Sequence, residues 1–291
     1  MGSEMCIRDR TNDILGEGVI WNPNEEALYW VDAYAPAIRR LKVLSGELES
    51  WNTPEIIGSL VFDKKGTLVV GFESGYCRLS LDPWWIDPIC NPQEKPGIVF
   101  NDGKCDRNGR YFIGTMHKEF LENVGILWRL DPDLTCHKID QGFTVSNGLA
   151  WSPDNSILYF ADTRKDVVYA YDYDIESGNA SNRRVFISTT DRKGRVDGAT
   201  VDAEGNYWAS LIHEGAIACF SPSGIELRKI ELPVKHPTMC TFGGTDLNRL
   251  YIVTSRRFLK PEEADQQPLA GSVFFVDGLD TQGIAEPFFE G

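Results

Sequence analysis

Val145–Thr163 reads VSNGLAWSPDNSILYFADT. An Asn-Gly pair precedes an apolar run, a Pro-Asp-Asn turn follows, and a second strand-forming run completes the unit. Five related stretches lie elsewhere in the chain, at residues 15–32, 57–71, 100–114, 196–210 and 240–255. Each joins two short strands through a polar turn, a pattern typical of antiparallel sheet.

The spacing of these units indicates the architecture. Aligned on the last residue of the first strand, the six copies lie 41, 43, 46, 50 and 41 residues apart, which leaves room for two further strands in each. Repeats of this length with four strands are typical of β-propellers, whereas helical arrays would show a 3.6-residue apolar pattern. The sequence therefore predicts an all-β fold, a six-bladed β-propeller with four-stranded antiparallel blades around a central channel. Residues 11–291 would form this single domain.

The first ten residues, MGSEMCIRDR, stand apart from the repeat. They contain no apolar segment of the kind that forms a secretory signal, and they fit none of the later units. We therefore expect residues 1–10 to be a non-native or disordered N-terminal segment.

Composition argues against some classes of partner. The chain has 43 acidic and 29 basic residues, a net charge of −14, whereas binding to nucleic-acid backbones requires basic patches. No apolar run approaches the ~20 residues of a membrane span. The seven cysteines are scattered without a C-x-x-C pair, as expected for reduced thiols. We expect a cytoplasmic protein that binds neither nucleic acid nor membrane.

One residue per repeat can be compared, because equivalent positions of the inner strands in a propeller form a ring around the channel. Four residues before the end of each first strand, just before the inner strand, the chain has Glu17, Gly58, Asn101, Asn147, Asp197 and Thr238. Two carboxylates and two amides would converge there with two negative charges, a donor set suited to a hard divalent cation such as Ca²⁺.

The same ring bears on the identity of the metal. It contains neither His nor Cys, which argues against a structural zinc site, while Mn²⁺, Fe²⁺ or Zn²⁺ in an oxygen-rich catalytic site stays open. An isolated Asn-Gly pair is typical of a turn. Its recurrence in register with other oxygen side chains favours a ligand role for Asn147.

Several motifs resemble those of the regucalcin (senescence marker protein)/gluconolactonase/luciferin-regenerating enzyme family: LGEG, FNDGKCDRNGRYFIGTM, SNGLAWSPD, NRRVF, VDGATVDAEGNYWAS and CTFGG. The similarity extends from about Leu15 to the C-terminal GIAEPFFEG. The resemblance implies a six-bladed propeller with one divalent metal at the top of its channel. Its ligands would be Glu17, Asn101 (through water in some metal-bound forms), Asn147 and Asp197.

The resemblance also implies an activity, the hydrolysis of lactones and especially of sugar lactones. The metal would polarise the lactone carbonyl as a Lewis acid, and a carboxylate would accept a proton from the attacking water. The family assigns the second role to Asp197. A carboxylate that also binds a dication is a weak base, so Asp102 and a metal-bound hydroxide stay open as alternatives. A turn-forming role for Asp102 stays open as well.

Substrate contacts are implied at Asn101 and at Glu119, which matches the acid of the family's GTM-x-x-E motif. Two residues before Asn101 the family commonly has an arginine that binds substrate oxygens, and this chain has Val99. Loss of a guanidinium with five donors should favour a less polar acyl chain. His117 lies beside this patch, where it would either contact substrate or be an exposed loop residue.

Two other functions fit the same pattern. One is a promiscuous phosphotriesterase or aryl esterase on the same scaffold, and the other is a non-enzymatic Ca²⁺-binding or protein-interaction propeller. Converging ligands in the channel argue against a pure scaffold, and the neighbouring Asp102 and Glu119 argue against a simple Ca²⁺ buffer. We therefore expect a metal-dependent lactonase that acts on a small lactone or ester.

Overall fold

The computed structural model describes residues 4–93 and 95–291. It confirms the all-β prediction, since these residues form six four-stranded antiparallel sheets and almost no helix. The first twelve strands are β1 (Glu4–Asp9), β2 (Gly16–Asn22), β3 (Ala27–Asp32), β4 (Ala37–Lys42), β5 (Leu48–Asn52), β6 (Ile57–Phe62), β7 (Leu68–Phe72), β8 (Gly75–Leu81), β9 (Trp84–Cys90), β10 (Ile98–Cys105), β11 (Tyr111–His117) and β12 (Gly125–Leu130). The remaining strands are β13 (Cys136–Phe143), β14 (Ser146–Trp151), β15 (Ile157–Asp162), β16 (Val167–Asp174), β17 (Asn179–Ser188), β18 (Arg195–Val201), β19 (Tyr207–Ile212), β20 (Ala216–Phe220), β21 (Glu226–Glu231), β22 (Pro237–Gly243), β23 (Arg249–Thr254) and β24 (Val273–Asp277).

Each blade is a meander of four consecutive strands, except the last. Blades one to five are β2–β5, β6–β9, β10–β13, β14–β17 and β18–β21, and blade six is β22–β24 together with β1. The inner strands β2, β6, β10, β14, β18 and β22 contact one another in this order, and β22 contacts β2 to close the ring. The helical content is a 3₁₀ turn at Thr163–Lys165 and the short α1 (Pro261–Ala264).

Burial decreases from the channel outward. Every residue of the inner strand β14 is buried, whereas the outer strand β17 is mostly exposed. The large apolar clusters lie between neighbouring blades, one at each of the six interfaces. Trp21 of blade one, for example, stacks on Tyr251 of blade six with ring centroids 5.9 Å apart. The blades are therefore held together by the apolar faces that each repeat cannot bury alone.

The N-terminal segment that we set apart contributes a strand. Glu4–Asp9 form β1, which pairs antiparallel with β24 and supplies the outer strand of blade six. The part of residues 1–10 that is described here is thus ordered in a sheet, because an outer strand needs little more than backbone pairing with its neighbour. A non-native origin of the segment stays a prediction.

The Asn-Gly pair of the fourth repeat is a β-bulge inside a strand. The pairing of β14 with β15 shifts register between Asn147 and Ala150, and Gly148 has φ +60°. The Tyr207 hydroxyl donates a hydrogen bond of 2.7 Å to the Gly148 carbonyl, and an added Cβ at Gly148 would lie 2.4 Å from that hydroxyl. We expected the ring residues just before their inner strands. The bulge lets β14 begin earlier, so Asn147 lies within it.

The C-terminal segment crosses the lower end of the channel. Gly283 bridges to Asp202 in blade five, and the backbone N–H of Phe289 donates to the Phe62 carbonyl in blade two at 2.8 Å. Between these anchors Glu286 lines small cavities together with the lower ends of all six inner strands. Its carboxylate forms a 2.7 Å ion pair with the buried Lys104 ammonium. This segment, residues 283–291, closes the floor of the channel.

Two further features concern membrane crossing and the state of the cysteines. No helix within the described residues has both the length and the apolar character to cross a membrane. The seven cysteines are all free thiols.

Candidate active site at the open end of the channel

The four oxygen side chains predicted to form a ring lie at the upper ends of their inner strands. Glu17 and Asp197 are 9% and 5% exposed, Asn147 is buried, and Asn101 is half-buried. Glu17 and Asn147 begin a register shift between the inner strand and its neighbour, and Asn101 and Asp197 lie within one, where the regular alternation of side chains is interrupted. The bulges therefore set these side chains apart from the blade core.

The two amides are oriented by hydrogen bonds to their nitrogen atoms. Asn101 Nδ2 donates to Asn147 Oδ1 at 2.7 Å and to the Ser146 carbonyl at 2.9 Å. Asn147 Nδ2 donates to Thr163 Oγ1 at 2.8 Å, and that hydroxyl donates to the Val196 carbonyl. With both nitrogen atoms engaged, the amide oxygens keep free lone pairs. Such oxygens are suitable ligands for a hard cation.

The two carboxylates of the ring have no protein partner. Neither Glu17 nor Asp197 forms an ion pair or accepts a side-chain hydrogen bond within residues 4–93 and 95–291. Burial raises the pKa of Glu17 well above its usual value, and the negative charges of Asp197 and Asp102 raise it further. Burial and the charge of Asp102 likewise raise the pKa of Asp197. Uncompensated buried carboxylates are costly, so the site fits a bound cation.

The number of carboxylate ligands limits which cation the site could bind. Over the part of the chain described, no cluster of three or more His, Cys, Asp or Glu side chains is arranged to hold a metal ion. The ring supplies two carboxylates, so a cation there would need the amide oxygens of Asn101 and Asn147 as well as water or substrate. Ca²⁺, which takes six to eight oxygen ligands, tolerates such a mixed set.

Asp102 lies beneath the ring and joins two blades. Its Oδ2 accepts a 3.0 Å hydrogen bond from the Leu149 backbone N–H in blade four, and its Oδ1 is buried with no hydrogen-bond partner. Burial raises the pKa of this carboxyl, against the lowering effect of the Leu149 hydrogen bond and of Lys104. Asp102 thus links blades three and four while its charge acts on Glu17 and Asp197, and its catalytic role stays a prediction.

Val99 lies on β10 beside a ring residue, whereas His117 and Glu119 lie at the end of β11 and in the loop after it. Val99 precedes Asn101 by two residues on β10 and is 2% exposed, packed against Met116 and Val145 with Phe120 over them. His117 ends β11 and is half-buried.

Glu119 is exposed in the loop that follows β11. Its backbone N–H donates to His117 Nδ1 at 3.1 Å. The two residues are therefore tied to each other.

A second ring was missed by the sequence reasoning. Two residues before each position of the first ring the chain has Leu15, Ile56, Val99, Val145, Arg195 and His236. Val99 and Arg195 lie on β10 and β18, and the other four residues immediately precede their inner strands, so all six lie nearer the mouth than the first ring. His213, which follows β19, joins this rim through a 3.1 Å contact between its Nδ1 and His236 Nε2. Stepping back two more positions in the aligned repeats would have identified the ring.

Comparison with known proteins places the chain in a family. The sequence profile described as SMP-30/gluconolactonase/LRE-like region matches residues 15–256. The 6-deoxy-6-sulfogluconolactonase of Pseudomonas putida is 35% identical over 97% of this chain and 97% of its own length. Regucalcin of Danio rerio is 33% identical over 96% and 95% of the two chains.

A solved structure agrees with these relatives. The calcium-binding protein regucalcin from Agrobacterium tumefaciens superposes with a TM-score of 0.93 at 25% identity, covering 97% of this chain and 96% of the other. The profile covers blades one to five and β22 and β23 of blade six, and so includes the four ring residues. The chain therefore belongs to the SMP-30/gluconolactonase/LRE-like family.

Proposed function

We propose that this protein is a divalent-metal-dependent lactone hydrolase. The observation that carries the proposal is the pair of buried carboxylates, Glu17 and Asp197, which have no partner among the described residues. They lie next to two amides, and the Asn147 Oδ1, which accepts from Asn101 Nδ2, keeps one lone pair for a cation. Membership of a family with lactonase relatives supports the reaction class. Ca²⁺ is the first candidate for the metal, and Zn²⁺, Mn²⁺ and Fe²⁺ are the others.

The four ring residues would have different roles. Glu17, Asn147 and Asp197 would hold the cation, and Asn101 would contact it directly or through water. When bound, such a cation acts as a Lewis acid on a carbonyl oxygen and stabilises developing negative charge. Asn101, whose Nδ2 is held by Asn147 and the Ser146 carbonyl, has its Oδ1 left to contact the cation and would also orient the lactone.

Asp197 is the stronger candidate to accept the proton of the attacking water. Its carboxylate has no protein partner, whereas Asp102 has one oxygen bound to the Leu149 N–H and the other buried. A general base must come within hydrogen-bonding distance of the proton that it removes. We therefore assign proton transfer to Asp197 and the positioning of β14 to Asp102.

The substrate is a small lactone or ester. The name of the Pseudomonas putida relative refers to a sulfonated sugar lactone, so sugar-derived lactones are the first compounds to test. Val99, Met116 and Val145 form an apolar wall beside the ring, which suits a less polar stretch of the acyl chain. Contacts from His117 and Glu119, a cytoplasmic location and the absence of nucleic-acid or membrane partners stay predictions.

A Ca²⁺-binding protein without catalysis is the second candidate, since the Agrobacterium tumefaciens neighbour is described as a calcium-binding protein. Hydrolysis of phosphotriesters or aryl esters on the same residues is a third. One experiment distinguishes the three candidates.

The test is proton release from a panel of sugar and aliphatic lactones by metal-stripped enzyme, before and after addition of Ca²⁺, Mn²⁺, Zn²⁺ or Fe²⁺. Phosphotriesters and aryl esters complete the panel. We expect turnover to vanish on chelation and to return with one metal. Background rates on every lactone, with metal binding confirmed by calorimetry, would exclude the lactonase; turnover of the esters would then support the third candidate, and none at all the second.

A further inference from the structure

The rim above the proposed metal ring is chemically one-sided. On blades one to four it carries the aliphatic side chains Leu15, Ile56, Val99 and Val145, whereas blades five and six contribute Arg195 and His236. A small ligand bound over the ring would therefore meet apolar surface on one side and nitrogen donors on the other. The donors are the part of the mouth to which the proposed chemistry assigns no role.

Arg164 brings a free guanidinium to this rim. It belongs to the turn Thr163–Lys165, which is tied to the ring because Thr163 Oγ1 bonds both Asn147 Nδ2 and the Val196 carbonyl. The guanidinium lies 4.8 Å from the ring centroid of Phe120, which in turn packs over the Val99 cluster. Within the described ranges, Arg164 forms no ion pair and no side-chain hydrogen bond.

The two imidazoles of the rim present one outward donor. His236 is 1% exposed and its Nδ1 is buried without a partner, while His213 is exposed. Burial lowers the pKa of His236 to about 4, and burial together with nearby cations lowers the pKa of His213, so both rings are neutral at pH 7. Burying an unprotonated ring nitrogen without a partner costs less free energy than burying an unpaired N–H donor. The favoured arrangement therefore has His236 Nε2–H donating to His213 Nδ1, which leaves His213 Nε2–H free.

The local charge is positive in a strongly acidic chain. Three cations act on the His213 imidazole: Arg195, Lys235 and Arg164. Arg195 pairs with Asp166 at 2.8 Å and Lys235 pairs with Glu263 at 2.8 Å, which leaves the Arg164 charge uncompensated. Stacking on Phe120 holds its guanidinium in place without using its donors.

We propose that Arg164 and His213 form an anion-binding subsite at the mouth of the channel, so that the preferred lactones carry a carboxylate, phosphate or sulfonate group on the acyl chain. The inference rests on the proposed lactonase function and specifies its substrate class. The reacting carbonyl would lie over the ring, and the anionic group would lie across the mouth, where Arg164 offers a fork of donors.

The first test compares a matched pair of substrates, glucono-1,5-lactone and its 6-phosphate, in the metal-loaded enzyme. Arg164→Gln should lower kcat/KM for the phosphate roughly 10- to 100-fold, mainly through KM, and change the neutral lactone less than about twofold. Arg164→Lys keeps the charge but loses the fork of donors, so it should retain only part of the activity on the phosphate, between the wild type and Arg164→Gln. His213→Phe, which keeps a ring against Phe258, should cost about two- to tenfold on the phosphate alone.

The control is Arg183→Gln. Arg183 is also stacked on an aromatic ring, 5.1 Å from the Tyr169 centroid, but lies on the outer strand β17 and changes the net charge equally. It should leave both substrates unaffected. An equal effect of Arg164→Gln on both lactones, or an effect of Arg183→Gln that matches it, would overturn the subsite.

A binding measurement keeps the subsite separate from the reaction. Calorimetric titration with methanesulfonate at constant ionic strength should show saturable binding to the wild type that Arg164→Gln abolishes. If neither lactone is turned over while this binding is present, the lactonase proposal fails and the subsite stands. If methanesulfonate binds both forms equally or not at all, the subsite is wrong whatever the kinetics show.

Discussion

The two ends of the channel use the same kind of side chain in opposite ways. At the lower end, Asp63, Asp106 and Asp202 each follow the last residue of an inner strand, and each accepts two backbone N–H bonds from its own turn through Oδ1. At the upper end, Glu17 and Asp197 are also buried, at 9% and 5% exposed, but accept no hydrogen bond from any described residue. The lower carboxylates hold hairpins together, whereas the upper ones are available for a ligand.

This contrast shows that partners, rather than residue type or burial, distinguish a structural carboxylate from a functional one. A buried carboxylate with two N–H donors is stabilised in its charged form. One without donors reduces stability in the free protein, and binding a cation would relieve that cost. The following experiments test whether the difference between the two ends is as sharp as their hydrogen bonding indicates.

The largest effect is expected for Asp197→Asn. The change preserves shape but removes a metal ligand and the proposed proton acceptor, so kcat/KM for lactones should fall by at least about 10³-fold. The unfolding temperature of the metal-stripped protein should hold or rise, because a buried charge is lost. Steady-state kinetics and calorimetric melting measure the two quantities. Near-normal turnover would remove Asp197 from the mechanism.

Asp202→Asn is the matched control at the lower end. Asp202 Oδ2 accepts from the Trp208 indole at 2.9 Å, and an amide nitrogen placed there could not. The free energy of unfolding should fall by about 1–3 kcal/mol, while kcat/KM stays within about twofold of the wild type. If Asp202→Asn abolished activity without loss of stability, the distinction between the two ends would be wrong.

In the metal-free protein, the two upper carboxylates should make the free energy of unfolding fall as pH rises. The stabilisation by added metal should change in the opposite direction. Their folded pKa values are raised, so the metal-free folded state binds more protons than the unfolded one. Stability from these groups therefore falls as pH rises from their ordinary values near 4 through the raised values. A metal requires deprotonated ligands, so the increase in unfolding temperature on adding Ca²⁺ should grow between pH 5.5 and 8.

The control for this measurement is the double variant Glu17→Gln with Asp197→Asn. It should show neither the fall in stability of the stripped protein nor the growing response to Ca²⁺. A response to Ca²⁺ that is the same at every pH, in the wild type, would place the cation away from these carboxylates.

The smallest effect is expected for Val99→Arg. The buried position should lose about 1–3 kcal/mol of stability through overpacking, although a guanidinium that reaches the mouth should raise kcat/KM for sugar lactones relative to aliphatic ones. Val99→Leu adds volume without charge and is the control. If both variants give the same ratio of the two activities, the side chain at position 99 does not face the substrate.

Much of the fold was predictable because each repeat carries its own strand and turn signals. The register of Glu17, Asn101, Asn147 and Asp197 followed from the same alignment, since one residue per blade must face the channel. The bulge at Gly148 was not predictable, because the local sequence of a bulge resembles that of a turn.

Other features depend on contacts between distant parts of the chain. The approach of Arg164 to Phe120 joins two blades and leaves no periodic signal in the sequence. Pairing of β1 with β24 joins the two ends of the chain in the same way. The position of the C-terminal segment across the lower end of the channel depends on backbone contacts with blades on opposite sides of the ring.

Because residues 283–291 close the lower end of the channel, substrate entry and product exit share the upper mouth. With Glu286 paired to Lys104 below the ring, the lactone, water and hydroxy acid of the proposed reaction would all pass through the upper mouth. The hydroxy acid retains the substituents of the lactone and gains a carboxylate, so it competes for the same ligands until it leaves. Product should therefore inhibit competitively, and its departure sets an upper limit on turnover that faster chemistry at the ring cannot exceed.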